Sequence, residues 1–173
     1  MKKHSLFIPE YVTENIYTIT PFLLAARGYR GVVFDLDNTV APYERLQPDK
    51  ATQDYFAALA EAGVQTALVS NNRRERIELF NERLGVFIVA DAQKPSPRGV
   101  HRCIEAFGLP PEQVLFVGDQ IFTDVFGGNR AGALTCYVET LDRRFFWINV
   151  RYQLERGFIA RGRRRMGARA HHG

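Results

Sequence analysis

Short apolar runs alternate along the chain with longer segments of helical periodicity. The runs are rich in Val, Ile, Leu and Phe, a composition typical of strands buried on both faces of a parallel sheet. They predict strands at residues 32–35, 64–69, 86–90, 114–117 and 134–138. Helices are predicted between them, at residues 49–62, 73–84 and 94–107, with a short one ending at Ala131. This alternation predicts an α/β fold, a Rossmann-like three-layer sandwich with a mostly parallel sheet.

The N-terminal segment predicts two further helices. Pro9 and Glu10 resemble a local helix start. A second helix follows Thr20, which suits an N-cap, with Pro21 at the first helical position and Gly28 as its stop. Residues 1–140 are therefore expected to form one domain with an N-terminal segment docked on the sheet.

Charged residues directly follow the first predicted strand. Val32, Val33 and Phe34 are apolar, and Asp35 and Asp37 follow at once. Ligands of open parallel sheets bind at the carboxyl ends of strands, where two acids spaced in this way can reach the same ligand. Two such acids repel each other unless a cation neutralises them, which favours Mg²⁺. The alternative is that both acids only cap a turn.

Other predicted strands also end in polar residues. Ser70, Asn71 and Asn72 follow the second strand, Lys94 follows the third, and Asp119 and Asp124 follow the fourth. Phosphoryl transfer needs a nucleophile, a metal ion and donors for the developing negative charge, and this set contains all three. Each residue also has a structural alternative: Ser70 as a helix N-cap, Lys94 as a solvated lysine, Asp124 as an acid in a first helical turn.

Length and composition restrict the class of protein. The chain has 173 residues, 46% hydrophobic and 24% charged, which suits one globular domain. Cys103 and Cys136 lack metal-ligand spacing and are expected to be buried free thiols. No signal peptide and no membrane span is expected, so the predicted location is cytoplasmic.

The strand-end motifs carry a family resemblance. In order they read DLDNTV, LVSNN, KPSPRG and GDQIFTDVFGGNRAG. This ordered set resembles the haloacid dehalogenase (HAD) superfamily of phosphatases and, more narrowly, its YqeG family (subfamily IIIA). That family is related to the mitochondrial-type phosphatidylglycerophosphate phosphatases. The narrower resemblance covers most of the chain up to about residue 140.

The resemblance implies roles at matching positions. Asp35 would be the nucleophile that becomes an aspartyl-phosphate, and Asp37 the general acid and base. Thr39 would steady the loop, while Ser70 and Lys94 would hold the transferring oxygens. The cofactor would be Mg²⁺, held by Asp35, by Asp37 through its backbone carbonyl, by Asp119, and by Asp124 directly or through water. Asn71 and Asn72 are weaker candidates for substrate contact.

The spacing of the motifs leaves no room for a separate cap domain. Thirty residues separate Thr39 from Ser70 and 23 separate Ser70 from Lys94, which a turn, a helix and a strand use up. An uncapped site is open to water and suits a large or membrane-borne phosphate. The resemblance favours phosphatidylglycerophosphate or a similar anionic phosphate as substrate.

The C-terminal segment is basic. Residues 141–173 hold nine arginines against two acids, a net charge of about +7, so residues 1–140 carry about −3 of the total +4. Residues 141–162 predict an amphipathic helix, and residues 163–173 a disordered basic tail. Three interpretations remain open. The helix could bind an anionic phospholipid surface at the inner face of the membrane, the arginines from Arg163 to Arg169 could bind RNA, or the helix could simply pack on the domain.

The motifs thus predict a Mg²⁺-dependent phosphomonoester hydrolase. The main alternative is an RNA- or membrane-associated scaffold with this fold and incidental phosphatase activity. A phosphatase for nucleic acid or another phosphate, and transfer to an acceptor other than water, also remain open. His171 and His172 are assigned no site.

Overall fold

The computed structural model describes residues 5–170, and the side chains of residues 5–167. The strands of this part are β1 (Tyr11–Thr13), β2 (Gly31–Asp35), β3 (Gln65–Val69), β4 (Phe87–Val89), β5 (Val114–Gly118) and β6 (Leu134–Val138). Its α-helices are α1 (Pro21–Ala26), α2 (Lys50–Glu61), α3 (Arg74–Asn81), α4 (Arg98–Phe107), α5 (Phe126–Arg130) and α6 (Phe146–Ala170). A π-helical turn, Ile121–Val125, precedes α5.

The strands form one parallel sheet in the order β1-β6-β5-β2-β3-β4. Strand β2 therefore lies in the middle, between β5 and β3. Its last residue, Asp35, is level with Val69 at the end of β3, and Phe34 is level with Val117 near the end of β5. The predicted parallel sheet is confirmed, and its central strand delivers the first acid.

Helices cover both faces of the sheet. Phe34 and Leu68 lie on one face, in a core completed by residues of α1, α2 and α3. Val33 and Phe116 lie on the other face, in a core completed mainly by α4. A smaller cluster joins Ile159 of α6 to β1, β6 and the π-helical turn. The three-layer architecture predicted from the alternation is confirmed, and Cys103 and Cys136 are buried free thiols.

The N-terminal segment differs from the prediction. Pro9 and Glu10 do not begin a helix but precede the edge strand β1, and the Glu10 N–H donates to the Thr135 carbonyl oxygen. The β-branched and aromatic residues of β1 satisfy their backbone by pairing with β6, which local helix signals do not reveal. The second N-terminal prediction is confirmed, because Thr20 accepts a hydrogen bond from the Leu23 N–H at the start of α1.

Residues 40–69 form a loop, α2 and β3, and residues 71–93 form α3, β4 and their connections. Both stretches belong to the sandwich itself. The expectation of a fold without a separate cap domain is therefore confirmed, and the carboxyl edge of the sheet is left open on the side of α2 and α3.

The inner face of α6 packs on the domain. Ile148 and Ile159 are buried, and Gly162 lies so close to Pro9 and Val12 that an added Cβ would come within 2.7 Å of the proline ring. Arg165 forms an ion pair with Glu10 at 2.9 Å. The helix also extends to Ala170 instead of ending at residue 162. The predicted disordered tail is therefore wrong for residues 163–170, because tertiary contacts extend the helix, while His171 and His172 lie outside the described residues.

The outer face of α6 is exposed and apolar in its first half. Phe146, Trp147 and Leu154 are 78%, 68% and 65% exposed. The helix therefore has one apolar face that packs on the domain and one that faces solvent. Among the described helices, none is long and apolar enough to cross a membrane.

Candidate active site

The carboxyl edge of the sheet gathers the predicted site residues around one cleft. Asp35 ends β2, Ser70 follows β3, and Asp119 follows β5. The cleft has a volume of about 290 Å³. Its walls are formed by Asp35, Asp37, Tyr43, Ser70, Asn71, Asn72, Lys94, Gln120 and Thr123. Residues that are up to 88 positions apart in the chain thus face a common space because parallel strands end at the same edge.

Lys94 joins two buried carboxylates. Its ammonium group donates to Asp35 and, at 2.7 Å, to Asp124 Oδ1, and these three side chains are 4%, 6% and 1% exposed. Burial lowers the pKa of Lys94, but the adjacent Asp124 and Asp35 raise it by more, so its net pKa lies above the ordinary value and the side chain stays charged. Burial also raises the pKa of Asp35, and the charge of Lys94 opposes that rise. Lys94 is therefore a buried, paired lysine that lines the cleft and not a solvated one.

Asp119 is fully buried and held by three donors. The Thr140 hydroxyl donates to Oδ2 at 2.8 Å, the Arg151 guanidinium donates to the same oxygen at 3.0 Å, and the Thr39 hydroxyl donates to Oδ1 at 3.4 Å. Burial and then Asp124 raise the pKa of Asp119, while Arg151 lowers it. Thr39 is thus linked to this acid by a long hydrogen bond.

Asp124 reaches the same place from the π-helical turn. Its Oδ2 accepts a hydrogen bond from the Gln120 N–H at 3.1 Å. The side chain lies against Gly118, where an added Cβ would come within 2.4 Å of the Asp124 Cβ. A glycine at the end of β5 is therefore required for Asp124 to approach the other acids.

Asp35, Asp119 and Asp124 form an acidic triad. One carboxylate oxygen from each lies within 4.8 Å of the others, and Asp35 Oδ2 is a buried atom without a hydrogen-bond partner among the described residues. Three carboxylates are the hard oxygen donors that divalent ions such as Mg²⁺ and Mn²⁺ accept. The acidic triad can therefore hold a divalent metal ion.

Asp37 has different partners from the acidic triad. Its carboxylate accepts hydrogen bonds from Ser70 Oγ at 3.1 Å, Asn72 Nδ2 at 3.4 Å and Arg76 Nη2 at 3.2 Å. The side chain lines the cleft, as Tyr43 does. A metal contact of Asp37 would have to use its backbone carbonyl, as the resemblance implies.

The two predicted asparagines have different surroundings. Asn72 lies beside Asp37, whereas Asn71 clasps the backbone of Lys94, accepting from its N–H at 2.7 Å and donating to its carbonyl oxygen at 3.1 Å. Asn71 therefore positions the loop that carries the lysine, and it also lines the cleft.

Two arginines of the site were not predicted. Arg76 belongs to α3, which the sequence presents as a charged surface helix, yet its side chain is only 10% exposed and pairs with Asp37. Arg151 belongs to the basic C-terminal helix, where the sequence does not distinguish it from the other arginines, yet its side chain reaches Asp119. The one available signal for Arg151 was its position on the same helical face as Ile148 and Ile159.

Comparisons with known proteins agree with this geometry. A family model described as haloacid dehalogenase-like hydrolase matches residues 40–132. A Bacillus subtilis protein named "Probable phosphatase YqeG" is 36% identical over 132 residues, which cover 76% of this chain and 77% of that protein. The Chlamydomonas reinhardtii "Phosphatidylglycerophosphate phosphatase 1, chloroplastic" is 31% identical over 79% of this chain and 54% of its own length. The chain thus spans about half of that relative.

A solved structure shares the fold. The cobalt-bound form of a deoxy-D-mannose-octulosonate 8-phosphate phosphatase from Haemophilus influenzae superposes with a TM-score of 0.51 at 16% identity, over 65% of this chain and 69% of that one. Together with the matched family model and the similarity to YqeG, the parallel sheet with its edge of acids shows that this chain belongs to the haloacid dehalogenase-like hydrolase family.

Proposed function

We propose that this chain is a Mg²⁺-dependent phosphomonoester hydrolase that acts through an aspartyl-phosphate at Asp35. The observation that carries the proposal is the set of side chains that share the cleft. Asp35 and Lys94 line it together with Asp37 and Ser70, and the other two acids of the triad lie directly beside Asp35. A nucleophile and a separate acid–base group thus face one space that is large enough for a phosphoryl group, next to a set of acids that can bind a cation.

In the first step, a carboxylate oxygen of Asp35 attacks phosphorus and the ester P–O bond breaks. Asp37 in its protonated form gives its proton to the leaving alcohol. In the second step, Asp37 takes a proton from water, the water oxygen attacks phosphorus, and inorganic phosphate leaves while Asp35 is regenerated. The two carboxylates can take these different roles because Lys94 holds Asp35, whereas Ser70 and Arg76 orient Asp37.

Two further groups would bind the transferring phosphoryl group. The Lys94 ammonium would supply charge, and the Ser70 hydroxyl would turn its one proton from Asp37 to a phosphoryl oxygen, which leaves Arg76 and Asn72 to orient Asp37. A Mg²⁺ ion held by Asp35, Asp119 and Asp124, with the Asp37 carbonyl, would supply electrostatic stabilisation of the phosphoryl oxygens. Thr39 and Thr140 would act on the metal site indirectly, because both donate a hydrogen bond to Asp119.

We infer that the substrate is a phosphate carried at a lipid surface, with phosphatidylglycerophosphate as the first candidate. The cleft is uncapped, and two plant-type relatives, from Chlamydomonas reinhardtii and Arabidopsis thaliana, bear the name phosphatidylglycerophosphate phosphatase. Phe146, Trp147, Val150 and Leu154 form an exposed face of α6, the helix whose Arg151 contacts Asp119 beside the acidic triad.

This exposed face has the chemistry of a peripheral membrane contact. Aromatic and aliphatic side chains lie beside basic ones, which suits insertion into the interface of an anionic bilayer. We propose that it brings the open cleft to the inner face of a membrane. Binding of RNA by the last arginines is less favoured, because Arg163 pairs with Glu139 at 2.7 Å and Arg165 pairs with Glu10.

The test is phosphate release with Mg²⁺ from phosphatidylglycerophosphate in mixed micelles. A soluble aryl phosphate, a sugar phosphate and a 3′-phosphorylated oligonucleotide run beside it, with Asp35→Asn as the blank. The expected result is a lipid rate orders of magnitude above the others and no release by Asp35→Asn. If Asp35→Asn were about as active as the unaltered protein, Asp35 could not be the nucleophile.

The pattern of rates also separates the alternatives. Uniformly slow release from all four phosphates would contradict the lipid substrate and favour the scaffold. A preference for the oligonucleotide would make this chain a nucleic-acid phosphatase.

A further inference from the structure

We propose that Arg151 and Glu155 of α6 are positioning residues of the metal centre, which hold two of the three acids of the triad and thereby set its affinity for a divalent cation. The inference rests on the proposed metal-binding role of the acidic triad and is independent of the substrate. It assigns the C-terminal helix to the catalytic centre, although the helix lies outside all four sequence motifs.

Arg151 acts on Asp119. Its Nη2 lies 3.0 Å from Asp119 Oδ2 and 3.1 Å from Thr140 Oγ1, and Thr140 itself donates to the same carboxylate oxygen. Asp119 is completely buried beside two other acids, so it is repelled by them whenever no cation is bound. A guanidinium group on its far side balances this repulsion and fixes the direction of the carboxylate.

Glu155 acts on Asp124 through the backbone. Its Oε1 accepts hydrogen bonds from the Ile121 N–H at 2.9 Å and the Phe122 N–H at 3.2 Å, the first two N–H groups of the π-helical turn. Such groups lack partners within their own turn and attract a carboxylate. Because Asp124 is the fourth residue of this turn, Glu155 fixes the segment that presents Asp124 to the metal.

The two residues form one chain of charges. Arg151 Nε lies 3.6 Å from Glu155 Oε2, so the arginine offsets the charge of the glutamate, which is 1% exposed. The order Glu155, Arg151, Asp119 therefore alternates in sign from the helix to the acidic triad. Side chains that hydrogen-bond to metal ligands in this way orient those ligands, and their removal changes the affinity for the metal.

Attachment of the helix alone does not account for this arrangement. Ile148, Ile159 and Gly162 already pack α6 on the domain, and buried ion pairs contribute little net stability compared with apolar contacts. Both polar side chains are instead directed at the segment from Asp119 to Asp124. The consequence is that displacement of α6 changes the metal centre.

The test uses the full chain and measures Mg²⁺ binding by isothermal titration calorimetry without substrate. Arg151→Ala is expected to weaken Mg²⁺ binding by about 10- to 100-fold. Arg151→Lys, which keeps the charge but loses the planar fork, is expected to recover part of the affinity. The matched control is Arg156→Ala, which removes an exposed arginine from the same helix and is expected to bind Mg²⁺ as the unaltered protein does.

Glu155 provides an independent pair of variants. Glu155→Gln keeps an oxygen that can accept from Ile121 and Phe122 and is expected to stay within a few-fold of the unaltered protein. Glu155→Ala loses that acceptor and is expected to weaken Mg²⁺ binding clearly more. This pair keeps the proposal testable if Arg151→Ala does not fold.

Kinetics on a soluble aryl phosphate separate positioning from substrate contact. With Arg151→Ala, the Mg²⁺ concentration for half-maximal rate is expected to rise, while the KM for the phosphate at saturating Mg²⁺ stays unchanged. A raised KM with unaltered Mg²⁺ affinity would overturn the proposal and make Arg151 a substrate contact.

Three other results would also overturn it. The first is an unchanged Mg²⁺ affinity of Arg151→Ala with a lower Tm, which would indicate that Arg151 serves packing alone. The second is tighter Mg²⁺ binding by Arg151→Ala, which would indicate that the arginine simply repels the cation. The third is no Mg²⁺ binding by the unaltered protein. Failure of the lipid-phosphatase proposal is distinguishable, because it would abolish turnover of the lipid without affecting the calorimetry.

Discussion

Two cations hold the acids of this site from different sides. Lys94 lies between Asp35 and Asp124 and is 4% exposed, whereas Arg151 reaches Asp119 from α6 and is 23% exposed. Both solve the same physical problem, since a buried carboxylate is costly without a compensating charge. They differ in what surrounds them. Lys94 faces the cleft and can touch a phosphate, whereas Arg151 contacts Asp119 and, in our proposal, acts through that acid on the bound metal.

Removal of the cleft-facing cation is expected to have the largest effect. Lys94→Met keeps the length of the side chain but removes the charge that would bind the phosphoryl oxygens. The loss of one such donor lowers kcat by about 10²- to 10³-fold. Phosphate release from a soluble aryl phosphate at saturating Mg²⁺ measures it, with the exposed Lys50→Met as control. A kcat within twofold of the unaltered protein would show that Lys94 only balances charge.

The same variant tests the charge balance itself. Without Lys94, Asp35 and Asp124 remain buried without their cation, and breaking a buried pair in this way costs about 3–5 kcal/mol. In a chelator, Lys94→Met is therefore expected to have a clearly lower Tm than the unaltered protein, and added Mg²⁺ is expected to restore more of it by binding the acids. An unchanged Tm in chelator would contradict this account of the Lys94 contacts.

The Arg151→Ala variant is expected to cause the second-largest loss of activity. Saturating Mg²⁺ can compensate for a displaced metal ligand, but it cannot replace a group that binds the phosphate. The ratio of the two effects is therefore informative. Lys94→Met should reduce kcat at every Mg²⁺ concentration, whereas the loss in Arg151→Ala should shrink as Mg²⁺ rises.

The outer face of α6 extends the comparison, because the helix that carries Arg151 also carries an exposed apolar surface. The double variant Trp147→Ser/Leu154→Ser is expected to weaken binding to anionic vesicles about tenfold or more, because partial burial of each large side chain contributes about 1 kcal/mol. Its rate on a soluble phosphate is expected to stay unchanged. Vesicle sedimentation and the aryl phosphate assay measure the two quantities.

The control for this surface is Phe22→Ser, which removes an 84% exposed aromatic residue from α1. Equal loss of vesicle binding by both variants would indicate non-specific hydrophobic adsorption and not a defined membrane-binding face. Loss of activity on the soluble phosphate by the double variant would indicate that these residues pack against the site.

The contrast between Lys94 and Arg151 also shows what the sequence could reveal. A buried apolar run followed by a polar residue marks a strand end, so Asp35, Ser70, Lys94 and Asp119 could be placed at one edge before any coordinates were known. The helices and strands between residues 20 and 138 were predicted within a few residues for the same reason. These predictions depend on local periodicity, which the parallel sheet obeys.

Residues that reach the site from helices could not be predicted in this way. Arg76 lies in the charged helix α3, and Arg151 lies among surface arginines, so neither differs locally from solvated neighbours. Whether such a residue turns inward is decided by how its helix crosses the sheet edge. The same cause explains the edge strand after Glu10 and the continuation of α6 beyond residue 162, both of which depend on partners far away in the chain.

The smallest effect is expected from a variant that removes one of the two groups, Thr140 and Arg151, that donate to the same oxygen of Asp119. Thr140→Val is nearly isosteric and removes the hydroxyl 2.8 Å from Oδ2, but Arg151 remains in place at 3.0 Å. Because a hydrogen bond to a charged group contributes about 1.5–3 kcal/mol and the arginine retains much of the orientation, we expect Mg²⁺ binding by calorimetry to weaken less than in Arg151→Ala. Thr140→Ser keeps the hydroxyl and should restore the affinity. If Thr140→Val were instead the more damaging of the two, the hydroxyl rather than the guanidinium would be the main support of Asp119, and α6 would be secondary to the end of β6 in building the metal centre.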